Sequence, residues 1–101
     1  MSGPLQPGQG ARFLFERRSI APDRSTATYS AAVLMPDQRF EYEAILRLDG
    51  TAELTPLGPP APSEWQDRLL AHARQAARAA DRRRTEGLPP WPHRLLRWRA
   101  G

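Results

Sequence analysis

Ten residues, Arg39 to Leu48 (RFEYEAILRL), constrain this chain more than any others. Phe40, Tyr42, Ala44, Leu46 and Leu48 alternate with Glu41, Glu43, Ile45 and Arg47. Strict period two over that length marks a strand with one buried and one solvated face. A strand of this kind needs partners, and its neighbours in sequence supply them. RFLFERRSI begins at Arg12 and is closed by the turn-like Ala21-Pro22-Asp23-Arg24. STATYSAAVLM places Ala27, Tyr29, Ala31, Val33 and Met35 on one side, and TAELTP forms a short fourth run ended by Pro56.

The turns test these faces, because a one-residue slip sends every core side chain to solvent. A two-residue hairpin at Asp49-Gly50 would oppose Leu46 with Glu53. A three-residue loop, Leu48-Asp49-Gly50, with Gly50 left-handed at a bulge, instead pairs Leu46 with Ala52 and Ala44 with Leu54. The second register is predicted. Pro36 excludes the primed turns between the second and third strands. A four-residue loop on a type I turn at Pro36-Asp37 would set Met35 opposite Phe40, Val33 opposite Tyr42 and Ala31 opposite Ala44.

Leu57 to Pro62 form a stiff proline-rich link. Ser63 and Gln66 have capping-box spacing, so a helix is predicted over residues 63–86 with Ser63 as N-cap and Gly87 as stop. Trp65, Leu69, His72, Ala73, Ala76 and Ala80 fall on one stripe, large at the start and small at the end. Such a taper suits a helix lying close over a sheet whose aromatics supply the bulk. At about 35 Å the helix outruns strands of six or seven residues, so its distal turns are expected to overhang. The expected fold class is α+β: an antiparallel meander of three to four strands, then one long helix on its apolar face, then a Pro/Trp/Arg-rich C-terminal tail. Residues 1–10, uncharged and rich in glycine and proline, are expected to be disordered. Residues 11–101 form one α+β domain, with strands within 12–56, the link at 57–62, the helix at 63–86 and the tail at 87–101.

Charge bears on function more by its place than its amount. The net charge is +4, yet residues 1–62 carry six arginines against seven acids, and residues 63–101 nine arginines against four. All fifteen basic residues are arginine, and lysine and asparagine are both absent. That pairing follows the codon bias of a GC-rich, bacterial genome, which weakens basicity as a sign of nucleic-acid binding. Within the helix, Arg74, Arg78, Arg82, Arg83 and Arg84 are the candidate contacts for a partner or for phosphates. Late-helix arginines also oppose the negative end of the helix dipole while remaining solvated.

Reactive constellations are missing from the sequence. His72 and His93 are isolated from one another and from cysteine, of which there is none. Glu41 and Glu43 lie on a solvated strand face. No phosphate-binding glycine loop, nucleophile elbow or H-E-x-x-H pattern occurs. No catalytic, cofactor-binding or metal-binding residue is therefore assigned, and neither an enzyme nor a cofactor is expected. The lack of cysteine, of a ~20-residue apolar run and of a signal pattern points to the cytoplasm and away from a membrane.

PPWPHRLLRWRAG, from Pro89 to the end, remains. Read as a helix it aligns Trp91, Leu95 and Trp98; read as a strand it sets Leu96 and Trp98 against Arg97 and Arg99. Either way apolar and basic groups separate, whereas nucleic-acid stacking wants aromatics among the cations. Trp91, Leu95 and Trp98 are thus expected to anchor the tail on its own domain, with docking or a dimer interface as the alternative. The function expected is a small non-catalytic binding or assembly module with a protein partner, monomeric rather than homodimeric. The alternative is a nucleic-acid-binding protein using the basic helix.

Overall fold

The computed structural model describes residues 10–100, with the side chains of residues 98–100 outside the description. The expectation of disorder at residues 1–10 falls almost entirely outside it. Strands β1 (Gly10–Ile20), β2 (Thr26–Leu34), β3 (Arg39–Arg47) and β4 (Ala52–Pro56) form an antiparallel meander. Helix α1 (Ser63–Thr85) follows, and β5 (Arg94–Ala100) returns to pair with β1. The sheet order is β4-β3-β2-β1-β5. This is the α+β meander plus helix that the sequence predicts, enlarged by a fifth strand drawn from the tail.

Alternation is obeyed across the inner face. Phe13, Phe15, Tyr29, Val33, Tyr42, Ala44 and Leu46 are fully buried, and Phe40 and Leu54 pack on them half-buried. The β3–β4 loop has the predicted register, Leu46 opposite Ala52 and Ala44 opposite Leu54, with Gly50 at φ +88°. The β2–β3 register differs from expectation by two residues. Val33 stands opposite Phe40, Ala31 opposite Tyr42 and Tyr29 opposite Ala44. Met35 donates its N–H to Gln38 at 2.9 Å, so the hairpin closes around Pro36-Asp37 alone. Neither of those residues has positive φ. A slip of two keeps every side chain on its face, so the hydrophobic pattern could not distinguish the two registers.

The predicted capping box does not form. The helix is entered from Pro62, whose carbonyl accepts from the N–H groups of Trp65 and Gln66, and no side chain caps the end. Gln66 instead accepts a 2.7 Å bond from the Tyr42 hydroxyl, which itself accepts from the buried Ala61 N–H at 2.8 Å. A core tyrosine thus pins the proline-rich link and draws away the residue that the local motif required. At the other end Gly87, φ +82°, stops the helix as predicted. The Gly87 and Leu88 N–H groups bond to the carbonyls of Arg84 and Arg83, the Schellman arrangement.

Leu69, Ala73, Ala77 and Ala80 form the buried stripe of α1, with Trp65, His72 and Ala76 beside it half-buried. The overhang is shorter than expected, for two reasons. Strands β1 to β3 run nine to eleven residues, about 30–36 Å. The fully buried Trp91 also joins Ala77 and Ala80 in the same core cluster, filling space under the distal turns.

Candidate partner-binding site

The segment between α1 and β5 is tied down by hydrogen bonds from three directions. The Trp91 indole donates to the Arg24 carbonyl at 2.9 Å, and the Tyr29 hydroxyl donates to the Pro92 carbonyl at 2.7 Å. Arg17 donates to the Trp91 carbonyl at 2.6 Å, and its guanidinium lies 3.0 Å from His93 Nε2. Arg24 adopts φ +64° at the β1–β2 turn, where Asp23 accepts from the Ser25 N–H and hydroxyl. These two bonds, the backbone one first, lower the Asp23 pKa. Burial raises the Tyr29 pKa to about 12, against a smaller pull downward from Arg17 and Arg83. The phenol is accordingly a fixed neutral donor.

This anchoring decides where β5 lies relative to the helix. Helix α1 packs across β1 to β4, and between α1 and β5 a groove of about 280 Å³ opens. Its apolar floor is made by Ala76 and Ala79 of α1, Pro90 and Pro92 of the connection, and Leu95 of β5, with the polar Gln75 of α1 beside them. Alanine on the helix and proline in the loop leave the space open, since neither carries a side chain long enough to fill it. Arg82, Arg83 and Arg97 line the same groove. Arg83 is half-buried and donates to the Pro89 carbonyl at 2.9 Å, holding the connection to the helix. Arg82 and Arg97 are exposed, and among the described residues neither has an acidic partner within 4 Å. Apolar floor and cationic rim together favour a ligand with acidic and apolar groups side by side.

The five helix arginines are not brought together. Arg82 and Arg83 line the groove, whereas Arg78 lies against the β3–β4 loop with its Cγ 3.2 Å from where a Gly50 Cβ would stand. Arg74 precedes Arg78 by one turn on that flank, and Arg84 is held by Asp81 at 2.6 Å. The anchor trio is divided as well. Trp91 is buried, and Leu95 is half-buried opposite Phe15. Trp98 stands opposite Arg12 in the register, and its side chain lies outside the described residues. Sequence reasoning missed Arg97 as a rim residue. Its signal was faint: strand alternation puts Leu95 and Arg97 on one face, but only the fold sets that face beside α1.

His72 packs on Phe13, ring centroids 4.9 Å apart, and Glu41 pairs with Arg39 at 2.8 Å. No group of three or more potential metal ligands gathers among the described residues, and no helix there is long and apolar enough to cross a membrane. Comparison with known protein families, with curated proteins and with solved structures returns no match.

Proposed function

We propose that this chain is a non-catalytic binding module whose partner is a protein presenting an acidic, partly apolar segment to the groove between α1 and β5. The observation that carries this reading is the pair of exposed arginines, Arg82 and Arg97, set over an apolar floor that the described residues leave unfilled. A nucleic acid is the second reading. It draws on Arg74, Arg78 and Arg82 along the exposed side of α1, but these cations are not interleaved with exposed aromatics that could stack on bases.

Titration at low salt separates the two. One arm uses a short peptide of glutamate and valine, the other mixed-sequence DNA and RNA. Peptide binding weakened about tenfold by changing Arg82 and Arg97 to glutamine, with an unchanged melting point, is the expected result. Micromolar nucleic-acid binding with a steep salt dependence, abolished when Arg82, Arg83 and Arg84 become glutamine, would overturn it.

A further inference from the structure

We infer that the partner segment binds as an added strand on the outer edge of β5, extending the sheet and laying alternate side chains into the groove. This inference rests on the protein-partner reading and specifies its geometry. Its first support is backbone parity. The Arg17 N–H donates to the His93 carbonyl at 2.8 Å, and the register continues without a bulge through Glu16–Arg94, Phe15–Leu95 and Phe13–Arg97. In an antiparallel pair every second residue turns its N–H and C=O to the partner. Residues 93, 95 and 97 therefore bond to β1, and Arg94 and Leu96 turn theirs outward, away from every other strand.

The two sheet edges differ in the way that strand addition requires. Strand β4 is five residues long, ends in Pro56, and has Glu53 paired with Arg47. Strand β5 is seven residues long, lacks proline, and follows β1 in regular register. Short strands, proline and charge are the usual means of closing an edge. On β5 only charge is used: Arg97 folds back so that its guanidinium donates to the outward Leu96 carbonyl at 3.1 Å. An incoming strand that takes over this carbonyl frees Arg97 for an acid. Exposed Leu96, at 48% of its full accessibility, and half-buried Leu95 offer apolar contacts on the two faces.

Charge complementarity names the occupant. A second copy pairing β5 with β5 would bring arginine strands together, so the occupant is an acidic segment of another protein. Read against Arg97, Leu96, Leu95 and Arg94 in turn, an antiparallel strand needs the order acid, apolar, apolar, acid. The acid facing Arg97 and the apolar residue facing Leu95 share the groove side with Arg82, and the other two lie on the open face of the sheet.

Order at constant composition is the test, on the intact protein. A capped peptide centred on Glu-Val-Val-Glu is compared with one centred on Val-Glu-Glu-Val, which sets acids on the leucines. The first should bind at least about tenfold more tightly, and should slow hydrogen exchange at the Arg94 and Leu96 amides by about tenfold or more. Leu96→Pro removes an outward N–H that the domain's own sheet does not use, so it should abolish binding while leaving the melting point nearly unchanged. Equal affinity for the two peptides, or binding without slowed exchange at Arg94 and Leu96, overturns strand addition but leaves a groove-binding module standing. Failure of both peptides at millimolar concentration, with tight nucleic-acid binding, overturns both readings. Concentration-dependent protection of these amides in the free protein would identify a second copy as the occupant and also overturn the proposal.

Discussion

At the scale of single residues, Trp91 and Tyr29 hold the tail and respond to different perturbations. Trp91 is fully buried with its indole N–H satisfied by the Arg24 carbonyl. Trp91→Ala should cost about 3–5 kcal/mol and lower the melting point by on the order of 15 °C. Calorimetry checks this, and a shift below 5 °C would mean that the pocket collapses without the ring. Tyr29 gives a pH signature. Its pKa is raised from 10.0 to about 12, chiefly by burial, so the fold favours the neutral phenol. The stability contributed this way is intact below pH 10 and is lost as pH rises from 10 toward 12, by about 1.4 kcal/mol per unit. Tyr29→Phe should flatten that loss while costing about 1 kcal/mol at neutral pH for the bond to Pro92. Denaturant midpoints measured between pH 9 and 12 test both parts. The sequence placed Tyr29 on the buried face, but it gave no sign that a residue more than sixty positions away, Pro92, would take the hydroxyl.

Helix α1 shows how an element can be legible while its ends are decided from outside. Its stripe and its stop at Gly87 follow from local rules: apolar spacing for the first, a left-handed residue for the second. The N-terminus does not, because Gln66 bonds to Tyr42 and Ser63 caps nothing. Ser63→Ala should therefore change stability by no more than about 0.5 kcal/mol, where loss of a working cap would cost about 1 kcal/mol. Tyr42→Phe should cost more, about 1–3 kcal/mol, since it strips the buried Ala61 N–H of its acceptor. A urea series on the two variants ranks them, and the opposite order would restore the capping box. Gly87→Ala belongs here too. Its Cβ would meet nothing within 4 Å, so the expected loss, about 1 kcal/mol, comes from positive φ alone.

On the scale of the molecule, the tail completes the domain. Strand β5 shields the edge of β1, which carries Phe13 and Phe15 into the core. Truncation after His93 removes β5 but keeps Trp91; truncation after Leu88 removes both. The first should leave a less stable, aggregation-prone domain with β1 as its bare edge. The second should lower the melting point by at least a further 10 °C or so, the share owed to Trp91. Thermal melts and sedimentation of the two truncations give the ranking, and equal melting points would show that Trp91 contributes nothing once β5 is gone. The same closure creates the groove, since its lining combines α1, the connection and β5. Cations and floor come from segments that fold back on one another, and so the site spans residues 75 to 97.

Period two over residues 39–48, the helical stripe and the special turn residues determined the meander, the helix and which faces are buried. These are local consequences of where apolar side chains recur and which φ angles a residue tolerates, so they can be read without knowing the neighbours. Tertiary structure decided the rest. The Pro36-Asp37 turn chose between two registers that bury the same face. Tyr42 overrode a capping motif. The tail, whose apolar and basic groups separate equally well as helix or strand, became a strand because β1 presented an open edge and Trp91, Tyr29 and Arg17 held its entry there. With β5 fixed, Arg82 and Arg97, fifteen positions apart, came to line one groove. Sequence spacing encodes the face on which a side chain sits; only the packed sheet and helix determine what lies across from it.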